Sequence, residues 1–272
     1  MIYLEIILNL PINQGFTYSY TPPADEKPEL VPMIGKRAEI MFGNKKTEGF
    51  IIGITNEIPP TCKVDASKIK PIRRVIDKEP LFGNELIEIA NWISRYYLCT
   101  LGEAVFSMIP SGRRESSAGG FGFEDEIAAA KKNELSDEQK KCVGDIMTST
   151  DGLLRSARND VGGLYHYIYG PTGTGKTEVF LSLAEKMLEQ DKGVIYLVPE
   201  IGLTGQVVQS VKQRFGNTAA VLHSGLTPSQ RLKEWNRIMH KEARVIVGAR
   251  SAIFAPVPDL GLIIIDEEHD GS

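Results

Sequence analysis

The stretch Gly170-Pro171-Thr172-Gly173-Thr174-Gly175-Lys176-Thr177 constrains this chain more than any other. It fits G-x-x-x-x-G-K-[ST], in which glycines let successive N–H groups curl around phosphate oxygens. The lysine of the pattern reaches the outer phosphates, and its hydroxyl meets Mg²⁺. The pattern requires a strand before it and a helix after it. Residues 164–169 are apolar and read as a buried strand, while 178–190 carry Val179, Leu183 and Met187 at helical spacing. The helix start adds the positive end of a dipole. Gly170, Thr172, Gly173, Thr174, Gly175, Lys176 and Thr177 are therefore the candidate nucleotide-binding residues. The alternative is an ordinary glycine turn.

A second signal bears on that choice. Leu262-Ile263-Ile264-Ile265 is a continuous apolar run, the pattern of a central parallel strand, and it ends in Asp266-Glu267-Glu268-His269. Carboxylates at the C-terminal end of such a strand stand where an open α/β sheet binds ligands. Asp266 is the candidate Mg²⁺ ligand with Thr177, and Glu267 the candidate for orienting and deprotonating an attacking water. With Lys176, these two acids are the candidate catalytic residues. A solvated helix start would also be acidic, but four hydrophobic residues do not feed into one.

Length and charge bound the rest. The 272 residues leave room for two modest domains, and a charged fraction of 24% with 42% hydrophobic residues fits a globular chain with a sizeable core. The net charge of −4 does not by itself mark a nucleic-acid binder. Between residues 34 and 80, ten Lys/Arg face six Asp/Glu, a local balance of +4. Cys62, Cys99 and Cys142 are scattered, which argues against a disulfide framework or a zinc site and suits a reducing cytoplasm. The first ten residues are apolar but carry Glu5 and lack a basic flank, so they read as a strand rather than a signal peptide. No run is long enough to span a membrane.

In chain order, residues 1–110 read as a small, mostly β domain. Strands are expected at 2–10 and 16–20, at 36–42 and 49–55 around the turn Gly43-Asn44-Lys45-Lys46, and at 68–76. That basic turn is either a place to receive a phosphate or a plain hairpin tip. Residues 84–98 form an amphipathic helix with Leu86, Ile89, Ala90, Ile93 and Tyr97 on one face. The Gly/Ser-rich segment 111–122 opens a linker running to 134, in which Arg113 and Arg114 could touch a phosphate backbone and 124–132 could start a helix. From 135 to 272 the pattern is βαβα. Strands are expected at 164–169, 194–198, 219–222, 244–247 and 262–265, and helices at 177–190, 203–215 and 228–241. The fold class is thus α/β: a small β domain followed by one RecA-like parallel-sheet P-loop lobe. Loops after successive strands, Pro199–Thr204, His223–Gly225 and Gly248–Ser251, form a plausible track for a sugar–phosphate backbone.

Specific motifs now add a resemblance. Val198-Pro-Glu-Ile-Gly-Leu-Thr204, Leu222-His-Ser-Gly-Leu226, residues 249–261 (ARSAIFAPVPDLG) and 263–270 (IIIDEEHD) resemble the helicase signatures of the PriA family. These are the primosomal replication-restart DNA helicases (primosomal protein N′) of superfamily 2. Residues 11–22, PINQGFTYSYTP, resemble the same family's amino-terminal domain, which binds a 3′ DNA end. The resemblance implies an ATP- and Mg²⁺-dependent, 3′-to-5′ DNA helicase acting at stalled or branched forks. It implies forked and single-stranded DNA, single-strand-binding protein and other primosome proteins as partners, in the cytoplasm and without a membrane. It also implies that Gln139 reads adenine and that His269 links nucleotide state to the DNA-binding surface. Thr204 and Arg250 become contacts to single-stranded DNA, and Phe16, Thr17, Tyr18, Gly43 and Lys70 the 3′-end pocket.

The departures from the family pattern carry expectations of their own. The pocket usually has an acid where this chain has Thr17, which weakens the expected contact to a hydroxyl or base edge. The linker is too short for the family's winged-helix domain. The second helicase lobe with its arginine finger does not follow residue 272, nor does the cysteine-rich module that holds zinc. The expectation is weak nucleotide and DNA-end binding without unwinding. The competing readings are a catalytically idle DNA-end-binding module and an ATPase acting on RNA.

Overall fold

The computed structural model describes residues 1–22, 33–60, 62, 64–112, 134–156, 165–171, 173–199 and 206–267. Two compact units, Met1–Arg113 and Arg114–Ser272, make up the chain. The possible helix at 124–132, the linker arginines 113 and 114, Leu164 and the motif residues Thr172, Thr204 and His269 lie outside the described residues.

Among the described residues the first unit is one antiparallel sheet and two α-helices. Its strands are β1 (Ile2–Ile7), β2 (Phe16–Tyr20), β3 (Arg37–Phe42), β4 (Lys45–Thr55) and the short β5 (Arg74–Val75), in the order β2-β1-β4-β3-β5. Alternation drives the layering. Leu4 and Ile6 of β1, Tyr18 of β2, Ile40 of β3 and Ile51 of β4 enter one apolar cluster. The opposite face takes Phe50, whose ring meets Phe82 and Phe106 edge-on at 5.3 and 4.9 Å. The turn between β3 and β4 is only Gly43-Asn44, because Lys45 and Lys46 already pair with Phe42 and Met41. Expected strand 68–76 shrinks to β5, preceded by a 3₁₀ turn at Ala66–Lys68.

Helix α1 (Asn84–Tyr97) buries Ala90, with Leu86, Ile87 and Ile93 half-buried beside it. Two residues assigned to that face from sequence lie outside: Ile89 is on the flank and Tyr97, in the last turn, is exposed. Helix α2 (Leu101–Met108) starts on a capping box, Thr100 accepting from the Glu103 N–H and the Glu103 carboxylate accepting from the Thr100 N–H. The Thr100 hydroxyl also donates to the Leu10 carbonyl at 2.9 Å. A Cβ at Gly102 would stand 1.9 Å from the Leu8 carbonyl oxygen, so only glycine lets α2 press this closely on the end of β1.

The second unit is a parallel sheet with helices. After α3 (Asp137–Ser156) and α4 (Lys176–Glu189) come β6 (Gly193–Leu197), α5 (Gln206–Phe215), β7 (Ala219–Leu222), α6 (Pro228–Met239), β8 (Val245–Gly248) and β9 (Leu260–Ile265). Among the described residues the strand order is β7-β8-β6-β9, every pair parallel. The buried strands β7 and β8 read as unbroken apolar runs for that reason. Arg214 of α5 ties α5 to α4 through Glu178, Glu185 and Ser182.

One expected strand is different. Residues 165–169 carry no ladder hydrogen bonds, and Tyr165, Tyr167 and Tyr169 are exposed while Ile168 packs on the core. Three tyrosines make the run look buried, yet their amphipathic rings tolerate water. As a consequence β9, expected to be central, is the edge of the described sheet, with Ile263 and Ile265 exposed.

Candidate nucleotide and DNA-end sites

The loop at 170–177 turns through two glycines in left-handed conformation, Gly173 at φ 85° and Gly175 at φ 79°, and α4 begins at Lys176. The loop is closed by its own polar groups. The Lys176 ammonium donates to the carbonyls of Gly170 (2.6 Å) and Pro171 (3.2 Å), and the Thr174 hydroxyl donates to Pro171 (2.8 Å). Gln139, at the start of α3, donates its amide to the Thr174 carbonyl at 3.1 Å. A Cβ at Gly175 would lie 2.6 Å from that amide nitrogen, so Gly175 is fixed both by backbone conformation and by Gln139.

Asp266 follows β9. Its N–H donates to Leu197 at 2.9 Å, which extends the β6–β9 ladder by one residue and places the carboxylate at the carboxyl end of both strands. Glu267 adopts φ 49° and donates its N–H to the Asp266 carboxylate.

Tyr196 joins the two motifs. Its hydroxyl donates to Asp266 Oδ2 at 2.9 Å, and the Thr177 side chain lies close enough to act on it. Burial first, then the Asp266 charge, pushes this phenol well above its ordinary range, so it remains a donor. Asp266 is thus held by a buried hydroxyl that also feels Thr177 of the phosphate loop. Sequence reasoning overlooked Tyr196. The available signal was one tyrosine in the aliphatic run of β6, since a buried tyrosine hydroxyl needs a partner. Hard oxygen donors, one carboxylate and one hydroxyl, suit Mg²⁺. Replacing Tyr196 with phenylalanine should weaken Mg²⁺-dependent nucleotide binding about three- to tenfold, equivalent to one lost hydrogen bond. Titration with a fluorescent ATP analogue, with and without Mg²⁺, measures it; an unchanged Mg²⁺ dependence would dismiss the positioning role.

Other candidate residues are placed more loosely. Arg250 is exposed on the 3₁₀ turn Arg250–Phe254 that follows β8. His223, after β7, accepts from the Gly225 N–H at 3.1 Å, and its backbone carbonyl accepts from Arg231. Burial, with Arg231 and Lys212 nearby, holds this imidazole below its usual range and hence neutral.

In the first unit the three candidate DNA-end residues of β2 divide between two faces of the sheet, while Gly43 and Lys70 lie in connecting segments. Phe16 and Tyr18 point into the apolar cluster; Phe16 meets Phe42 edge-on at 5.0 Å and Tyr18 donates to the Met41 carbonyl. Gly43, at φ 59° with open space around it, adjoins Phe42. The Lys70 carbonyl accepts from Ser19. Thr17 points to the opposite face, where its cross-strand partner is Glu5.

Comparison with known proteins covers both units. Residues 5–110 match the 3′DNA-binding domain (3′BD) of PriA, and residues 136–272 match the DEAD/DEAH box helicases. The replication restart protein PriA of Treponema pallidum is 42% identical over 271 residues, 99% of this chain and 39% of that protein. Its counterpart in Haemophilus influenzae is 28% identical over 99% of the chain and 44% of its own length. That of Bacillus subtilis is 55% identical over 105 residues, 39% of the chain and 13% of that protein. The chain therefore spans less than half the length of these relatives. With a match to the 3′DNA-binding domain ahead of the match to the helicases, the chain belongs to the DEAD/DEAH box helicases and, within them, to the family of the replication restart protein PriA.

Proposed function

We propose that the chain is the amino-terminal part of an ATP-dependent 3′-to-5′ DNA helicase that recognises stalled or branched replication forks and restarts replication through primosome assembly. The observation that carries the reading is the Asp266 carboxylate at the carboxyl end of β9, held at 2.9 Å by the Tyr196 hydroxyl that also feels Thr177 of the phosphate loop. The loop 170–177 takes the triphosphate of ATP, Lys176 exchanging its loop carbonyls for phosphate oxygens. Thr177 and Asp266 hold Mg²⁺, which when bound neutralises charge on the phosphates. Glu267 orients the attacking water, and Gln139 stands at the loop for the adenine. Arg250, Thr204 and the neutral His223 loop track the sugar–phosphate backbone, and His269 couples that track to the nucleotide. Single-strand-binding protein and other primosome proteins are the expected partners, in the cytoplasm. No described helix is long and apolar enough to cross a membrane.

Binding of the purified 272-residue chain to forked DNA with a free 3′ end tests the reading, with duplex RNA as comparison. Roughly four phosphate contacts should weaken fork binding about 50-fold between 50 and 200 mM salt. Equal affinity for the RNA duplex would sink the DNA assignment and favour an ATPase acting on RNA.

A further inference from the structure

Residues 68–74, Lys-Ile-Lys-Pro-Ile-Arg-Arg, put four cations into seven positions, and the sheet of the first unit ties this segment down at both ends. The Ser19 N–H donates to the Lys70 carbonyl and the Ile72 N–H to the Ser19 carbonyl, each at 3.0 Å, which fastens it to β2. The Arg73 N–H donates to the Glu39 carbonyl at 2.8 Å, and Arg74 and Val75 pair with β3, which fastens its other end. Ile72 is buried in the apolar cluster of the sheet. With the backbone tied and the isoleucine inside, the two arginines are left on the surface, their side chains 44% and 62% exposed.

One carboxylate orients both. The Glu39 side chain, only 12% exposed, accepts from Arg73 Nε at 3.2 Å through one oxygen and from Arg74 Nη2 at 3.4 Å through the other. Positions 39 and 41 share a face of β3, with Arg74 of β5 and Lys46 of β4 opposite them. The Arg73 guanidinium reaches onto the same face, its Nη1 standing 3.8 Å from Met41 Sδ. Lys46 is exposed and makes no ion pair among the described residues. Glu48, opposite Glu39, is the second acid of the face and has one carboxylate oxygen buried. Lys46, Arg73 and Arg74 are thus a row of cations across β4, β3 and β5, with the acids beneath them. Each guanidinium keeps donors of its planar fork for a ligand, and such forks suit the paired oxygens of a phosphate. The row holds no aromatic ring on which a base could stack, so it offers a nucleic acid contact to phosphates rather than readout of bases.

We infer that Lys46, Arg73 and Arg74 form a phosphate-contact face that carries the double-stranded part of a DNA ligand. None of the three belongs to the candidate strand-end residues. The inference rests on the proposed reading of the first unit as DNA-binding, and it assigns the part of the ligand which that reading leaves open. A duplex presents one charge per about 1.7 Å of its axis in fixed geometry, which complements cations that are themselves held in place.

The test uses the whole 272-residue chain and a covalently closed duplex, capped by a loop at both ends, which offers backbone but no 3′ end. Fluorescence anisotropy over a salt series follows its binding. For the combined Lys46→Gln, Arg73→Gln and Arg74→Gln variant, the slope of log affinity against log salt should be shallower than the parent's by about 2.7, three phosphates at roughly 0.9 each. Its affinity at low salt should fall about tenfold or more, while that for a single-stranded trinucleotide with a free 3′-hydroxyl should stay within about twofold. Lys46→Glu alone, at an exposed position, should flatten the slope by about 1 or more and serves if the combined variant does not fold. An unchanged slope in either folded variant, or a parent chain that ignores the closed duplex, overturns the inference and leaves strand-end binding standing. An equal loss for the trinucleotide would put the three cations in the strand-end site and overturn it as well. If the parent binds neither DNA, the reading beneath falls with it.

Discussion

The Lys176→Ala chain loses at least about a hundredfold in affinity for ATP. In the structure the Lys176 ammonium donates to two carbonyls of the loop it closes, those of Gly170 and Pro171, and to no acidic side chain among the described residues. A phosphate can therefore displace both acceptors without breaking an ion pair. Two charge-assisted hydrogen bonds at roughly 1.5–3 kcal/mol each amount to about 3–6 kcal/mol, a factor of about a hundred to about twenty thousand. The substitution should leave folding close to intact, because the side chain is only half-buried and its partners lie in an exposed loop. Calorimetric titration with ATP and Mg²⁺ is the direct readout, and a thermal melt shows that the variant is folded. Equal binding by the two chains would remove the phosphate loop as the nucleotide site, whatever the family likeness.

A comparable loss, of stability rather than binding, is expected for Arg37→Ala. Arg37 is 1% exposed, and its partner Asp77 9%. The guanidinium donates through Nε and Nη2 to the Asp77 carboxylate and through Nη1 to the Gly112 carbonyl at 2.5 Å, while the Arg37 N–H donates to Asp77 as well. This one pair joins β3 to the segment after β5 and to the end of the unit. Removing the arginine leaves an uncompensated buried carboxylate, which costs about 3–5 kcal/mol, a large fraction of what holds a domain of this size. Urea denaturation of the parent and variant chains measures it. The paired change Arg37→Met with Asp77→Leu should recover much of the loss, because the charge and its partner leave together. A single-variant cost below about 1 kcal/mol would mean that water reaches the pair.

The two physical signals read from sequence differ in reach. Buried parallel strands must be apolar on both faces, so β6 to β8 stand out as continuous runs, and their order with the helices follows from chain connectivity. The same rule overreaches at 165–169, where tyrosine counts as apolar yet keeps its ring in water. It also exaggerates 68–76, of which only Arg74 and Val75 pair with β3. Helix α2 is too short for periodicity to find, although its capping box, Thr100 and Glu103, stands in the sequence. The functional groups follow the same division. Phosphate-loop residues are contiguous and so legible. Tyr196 depends on which strand lies beside which, and that leaves no local trace.

The two tryptophans of the chain fall one in each unit, and their surroundings are opposite. Trp92 stacks on Tyr96 at 5.0 Å on the outer side of α1 and is 60% exposed, whereas Trp235 in α6 is 2% exposed. Native emission is therefore a sum of a red-shifted, quencher-accessible component and a blue-shifted, protected one. Iodide resolves them without labels, and each half of the polypeptide carries its own optical gauge. A melt followed at both wavelengths can tell whether the halves unfold together or in turn.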